Sequence, residues 1–351
     1  LKKAMKINTT LPSHYLAYVK SIPLLQKRTG KKRTTQKQSL HPFWAIVQKE
    51  VSDHIGSWRF IILLAMITLI CFGSLYIAVN NLPEALANAK DPNRDFVFLK
   101  LLSASDGTLP PFHILLGFLG PLLGIGMGFD AVNSEQNSGT LVRLMAQPIH
   151  RDYFINAKFT GALMVIGTLF MALSFLITGL GILVTGQMPM PEEFLRIIGF
   201  IILCIIYVAF WLNLSILFSV KFKRAATSAL TAIAVWLFFT IFYQILVGMA
   251  AKALVSPGLS RTGYRVQKLL VTLLDIAPNR LFTDATTTIL VPSVRSLGPL
   301  SIQQMQGAIP STLSLGDSLM VVWPQLTGLI AATVACFAFS YYLFMRKEIR
   351  S

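Results

Sequence analysis

Charge is what this chain has least of. Only 13% of its 351 residues are Asp, Glu, Lys or Arg, roughly half of the ~25% carried by soluble domains. Acids are scarcer still, 15 against 31 basic residues. The three cysteines, Cys71, Cys204 and Cys336, each fall inside an apolar run. They read as buried thiols and supply neither a disulfide framework nor a metal site. The five histidines (His14, His41, His54, His113, His150) are scattered, with no H-E-x-x-H pair among them. No metal site is expected. No G-x-x-x-x-G-K-[ST] occurs either; Gly30-Lys31 lacks both the upstream glycine and the hydroxyl residue. The chain therefore does not cradle nucleotide phosphates in the P-loop manner. Charges deep inside the apolar runs are missing too, whereas an ion-driven carrier usually keeps at least one. An enzyme would need a constellation of reactive groups, and none is present.

What the chain has instead is hydrocarbon. Hydrophobic residues make up 54% of it, gathered in blocks long enough to cross a ~30 Å hydrocarbon layer as helices. Six spans are expected: Phe60–Val79, Phe112–Phe129, Phe159–Thr185, Ile197–Val220, Ala225–Ala251 and Ser318–Met345. The fold class is all-α polytopic membrane protein. No cleavable signal peptide is expected, because the first apolar run starts near residue 60 and is too long for an h-region.

Basic residues are distributed unevenly. Twelve of the 31 lie before residue 60, with Glu50 and Asp53 the only acids there. This pattern suits anionic lipid headgroups and topology control better than nucleic-acid readout. Residues 1–42 form a basic tail. In residues 43–59, Phe43, Trp44, Val47, Val51, Ile55 and Trp58 recur at helical spacing opposite Gln48, Lys49, Ser52 and Asp53. That is an amphipathic helix suited to the membrane interface. With the N-terminus inside, 21 basic residues fall inside and 10 outside, so both termini are expected in the cytoplasm. Residues 80–111 and 252–317 become external loops, and 60–351 the six-span domain.

One cytoplasmic interval stands out, Asp130–Lys158. The span before it carries Gly120, Gly124 and Gly128 at four-residue spacing, a stripe that lets a helix approach closely, either another span or a second subunit. Within the interval Ser134 or Asn133 can cap a helix start, with Glu135 favourable near its positive end. Gly139 then breaks the turn, Thr140 to Met145 form a short helix with Leu141, Leu144 and Met145 on one side, and Pro148 stops it. A short amphipathic helix held between two spans can act as a lever.

These residues also carry a resemblance. Glu135-Gln136-Asn137-Ser138-Gly139-Thr140-Leu141, then Met145-Ala146-Gln147-Pro148-Ile149-His150-Arg151, then Asn156-Ala157-Lys158 resembles the ABC-2-type (type-2 exporter) ABC transporter permease family. Ala157 stands where that family usually has glycine, and His150 where it usually has serine. Lys49-Glu50 before the first span looks like the family's connecting helix. Ala277-Pro278-Asn279-Arg280-Leu281-Phe282 is similar to its external re-entrant helices, and the ending Phe344 to Arg350 is typical of it.

The resemblance implies that the interval is a coupling helix, with Glu135, Gly139, Thr140, Leu141, Leu144, Pro148 and Arg151 contacting a separate ABC ATP-binding subunit. It also implies a second permease copy or paralogue, and a multi-pass place in a cell (plasma) membrane, bacterial in origin. No cofactor is expected on this chain; ATP and Mg belong to the partner subunit. Asn213, Tyr243 and Gln244 are the polar side chains offered as a pathway lining. The rival reading is a non-transporting receptor or scaffold whose loop docks a signalling partner.

Overall fold

A computed structural model describes residues 41–87, 93, 95–105, 110–147, 149–254, 269–294 and 312–347. The basic tail and the ends of both expected external loops lie outside these residues. Among the described residues every named element is helical. In chain order they are α1 (Pro42–Ile55), α2 (Trp58–Ala87), α3 (Val97–Ser103), α4 (Phe112–Gly128), α5 (Asn133–Asn137) and α6 (Thr140–Met145). Then follow α7 (Arg151–Thr185), α8 (Pro191–Lys221), α9 (Ala225–Leu237), a π-turn (Phe238–Phe242), α10 (Tyr243–Leu254), α11 (Pro278–Leu290) and α12 (Leu315–Arg346). Six segments are long and apolar enough to cross a membrane, one for each expected span.

The bundle is assembled on α8, which packs against α4, α7, α9, α11 and α12. Trp211, Tyr207 and Leu212 are completely enclosed, and the Tyr207 ring stacks on Phe282 of α11 at 4.2 Å. The glycine stripe of α4 faces this helix. A Cβ at Gly124 would sit 2.7 Å from the Val208 carbonyl oxygen, and one at Gly128 2.8 Å from that of Leu212. At Gly120 it would meet the Val208 side chain at 3.1 Å. Only glycine admits backbones so close, and lipid-embedded helices gain their attraction from such van der Waals contact. The neighbour that fills the stripe is thus a span of the same chain. Ser215 adds a hydrogen bond across the seam, donating to the Ile125 carbonyl at 3.2 Å.

Several boundaries differ from expectation for local reasons. The first span runs on through Asn80, Asn81 and Pro83 to Ala87, since a proline near a helix end removes only one backbone hydrogen bond. The stretch 80–111, expected as a polar loop, contains α3, whose Phe98, Leu99, Leu101 and Leu102 are buried. The turn expected over Gly186–Arg196 ends at Met190. Pro191 opens α8 at a position where its missing N–H costs nothing, and the Glu193 carboxylate accepts from the Met190 N–H at 2.9 Å.

That early start puts Arg196 inside the protein. Its side chain has no exposure. It donates to the carbonyls of Ile289 (2.9 Å) and Leu313 (2.7 Å), to Ser318 Oγ (3.1 Å) and to Glu192 Oε1 (2.9 Å). One guanidinium therefore binds the start of α8 to the end of α11 and the start of α12.

Candidate functional site

At the other end of the bundle, α4 unwinds after Gly128 and the chain enters the polar interval. α5 starts with Val132 at its N-cap, without a cap from its own side chains. Neither Asn133 nor Ser134 caps it, contrary to expectation: Ser134 Oγ instead donates back to the Asp130 carbonyl at 2.6 Å. The cap comes from another helix. Ser219 Oγ of α8 accepts from the N–H groups of Val132 (3.0 Å) and Asn133 (3.2 Å), satisfying two donors that a helix start leaves free. Asn137 continues the attachment by donating to the Lys223 carbonyl at 3.1 Å.

Gly139 lies at φ +72°, in the left-handed region, which glycine enters without steric cost. This reversal lets α6 leave at a new angle, and Thr140 Oγ1 donates back to the Glu135 carboxylate. Leu141 is 1% exposed, and Leu144 and Met145 pack half-buried against the same core. The apolar side of α6 thus faces the chain's own spans, because α7 and its neighbours already provide the groove it needs. The side an outside partner can reach is Val142, Arg143, Ala146 and Gln147. Pro148 lies outside the described residues. Arg151, in the first turn of α7, donates to the Lys347 carbonyl at 2.9 Å, and Lys347 Nζ donates to the Val220 carbonyl at 2.6 Å. The ends of α7, α8 and α12 are tied together there.

The centre of the site is a buried ion cluster. Glu135 Oε1 accepts from Lys49 Nζ at 2.8 Å and from Lys158 Nζ at 3.2 Å. Lys158 also pairs with Glu50 Oε2 at 2.8 Å, and Lys49 reaches Glu50 and Asp53 at 3.3 Å each. Glu50, Glu135 and Lys158 are 3%, 8% and 6% exposed, so each charge depends on its neighbours for compensation. Burial works against the charge on Lys49. Its hydrogen bond to Glu135 and the carboxylates of Glu50, Glu135 and Asp53 outweigh that and hold the ammonium well above its ordinary value. Gly161 permits the geometry: a Cβ there would meet Glu50 Cβ at 2.8 Å, so α1 can lie directly on α7.

A polar cavity of about 180 Å³ opens beside the cluster, with His54, Ser57, Arg59 and Asp130 in its wall. It has room for about half a dozen waters. Arg59 closes one side, pairing with Asp130 Oδ2 at 2.6 Å and lying over the Phe129 ring at 4.8 Å. The cluster thereby joins α1, the polar interval and α7 into one unit. α7 has 35 residues, about 52 Å of helix, so its first turns extend well beyond a ~30 Å hydrocarbon layer.

The residues expected to line a pathway do not converge. Asn213 is buried and its amide approaches the Thr333 carbonyl of α12 at 3.4 Å. Tyr243 donates to the Leu273 carbonyl at 2.6 Å, and Gln244 is exposed on α10. A polar chain does cross the bundle elsewhere. Tyr207 OH lies 2.8 Å from the Gly117 carbonyl and 3.1 Å from Asn279 Oδ1, and Asn279 donates to Thr240 in the π-turn.

The profile of the ABC-2 family transporter proteins matches residues 44–349, from α1 through the end of α12. The chain belongs to the ABC-2 transporter family. It is a multi-pass membrane protein, the permease component of an ABC transporter, and permeases of this family are membrane subunits that work with ABC ATP-binding subunits. None of the curated proteins matches the chain. The match spans the ion cluster, the α5–α6 interval and the buried α11, so the ABC-2 assignment covers every element that builds the site.

Proposed function

We propose that this ABC-2 permease exports its substrate with energy from ATP hydrolysed on a separate subunit, and that α5–α6 is the coupling element. The observation that carries the reading is the buried cluster of Lys49, Glu50, Glu135 and Lys158, which makes α1, the interval and α7 respond to a push as one body. A partner groove receives Val142, Arg143, Ala146 and Gln147. Movement passes through Ser219 into α8 and through Lys158 into α7, and the spans alternate between inward- and outward-facing arrangements as packed elements with two discrete positions do. Glu135, Thr140 and Leu141 position the lever, Gly139 sets its angle, and Arg151 fixes the base of α7. ATP and Mg sit on the partner, a second copy or a paralogue completes the pathway, and both termini lie in the cytoplasm of a bacterial cell.

The test is co-purification with the candidate ATPase and ATP turnover in liposomes. Val142→Asp with Arg143→Glu changes only the exposed side of α6, and should weaken the complex by tenfold or more while leaving thermal unfolding of the permease alone unchanged. Undiminished binding and turnover would discard the coupling role and favour a receptor or scaffold.

A further inference from the structure

A groove of about 360 Å³ lies on the outer surface where α1, α2 and α7 meet. Its wall includes Val51 and Ile55 of α1, Phe60 and Leu64 of α2, and Val165 and Leu169 of α7. Thr168 also borders it, but its hydroxyl is committed to the Met164 carbonyl at 2.8 Å. The lining side chains thus offer no free polar partner. Water would find nothing to bond there, and a peptide would leave its own N–H and C=O groups unsatisfied. What the wall fits is flexible hydrocarbon. Its place points the same way: Ile55 and Trp58, 55% and 78% exposed, stand at its mouth, in the position aromatic residues take at the headgroup level. From Met164 to Ala172 it extends about 12 Å along α7, close to the depth of one leaflet of a ~30 Å hydrocarbon layer. Its rim continues into lipid-facing Ile62, Met66 and Met171.

We propose that this groove is a specific binding site for one acyl chain of a bilayer phospholipid, wedged between α2 and α7 beneath α1. The chain would sit against the same two helices, α1 and α7, that Glu50 and Lys158 pin together. The site is independent of whether α6 meets an ATPase, since its lining shares no residue with the exposed side of that helix.

The experiment is stepwise delipidation in mild detergent followed by native mass spectrometry, with palmitoyl-oleoyl phosphatidylcholine added back. One lipid per chain should remain after the loosely held lipid is gone. Thr168→Phe combined with Ala172→Phe fills the groove from positions already exposed, and should lower that retention at least fivefold. Thr168→Val keeps the shape and should retain the lipid, while Phe175→Ala, outside the groove, should change nothing. Equal retention in the filled variant, with unfolding temperatures matched, would overturn the proposal. So would loss of the last lipid from the unaltered protein at the same detergent step as the bulk.

Discussion

Lys158 and Arg196 occupy matching positions at opposite ends of the bundle, each a buried cation within the first turns of a long helix, yet their partners differ in kind. Lys158 is compensated by carboxylates, Glu50 and Glu135, from two separate elements. Arg196 directs most of its donors to backbone carbonyls and a hydroxyl, and pairs with the Glu192 carboxylate one turn away. Carbonyls at the ends of helices cannot change charge or rotate away, so the Arg196 end is a fixed joint. Carboxylates can exchange partners while remaining compensated, and the Lys158 cluster borders a polar cavity that admits water. The difference suits a machine that holds one end rigid and moves the other.

Breaking the fixed joint should cost most. Arg196→Leu strands the Ile289 and Leu313 carbonyls, Ser318 and Glu192, a loss of about 3–5 kcal/mol on the scale of broken buried pairs. It should appear as a large drop in unfolding temperature in detergent, and Arg196→Lys should recover only part of it.

The cluster should behave differently under paired substitution. Lys158→Met alone leaves Glu50 and Glu135 facing each other and should cost about 3 kcal/mol. Adding Glu135→Gln should restore part of that loss, giving a coupling energy of about 1–2 kcal/mol in a double-mutant cycle. Simple additivity would show that the members do not compensate one another.

Acid should separate the two ends as well. Burial, then the nearby Lys158, push His54 below its ordinary value, although Glu50, Asp130 and Asp53 act in the opposite sense. The folded state therefore stays neutral where the unfolded chain takes up a proton. Stability present above about pH 6.5 is lost as pH falls through that value toward the folded one. His54→Gln should flatten the slope of unfolding temperature against pH in this window. Substitutions at Arg196 should leave that slope intact.

The smallest effect belongs to Arg59→Ala. Its pair with Asp130 is partly exposed, at 52% and 24%, so its removal should cost about 0–1 kcal/mol and fade in high salt.

The spans were legible because an uncharged apolar block of ~20 residues suits a membrane-crossing helix and little else. The short helix Thr140–Met145 was legible too, since Gly139 and the Leu141–Leu144–Met145 spacing mark its start and its apolar side. Which way that side faces was not, because the same stripe suits an outside groove or the chain's own spans. Arg196 was hidden by its position next to an apolar run, where a basic residue ordinarily ends a span. Its partners, Ile289 and Leu313, are backbone carbonyls about a hundred residues away and leave no trace in composition. Lys158 left a fainter signal: Phe154, Lys158, Gly161 and Val165 recur at helical spacing and all are buried, so a lysine there had to have partners. Ser219 as a cap for α5 could not be read, since nothing local distinguishes a serine that serves another helix.

The π-turn at Phe238–Phe242 has a consequence for tolerated changes in length. A π-turn holds one residue more than the α-turn it replaces, so the fifth span contains a spare position. Deleting one residue there would close the turn into regular helix without shortening the span appreciably. It would also rotate everything after it by about 100°, carrying Tyr243 off the Leu273 carbonyl and turning a different set of side chains toward α11. At this point the phase of the fifth span is set by counting, and a single codon gained or lost would reset it.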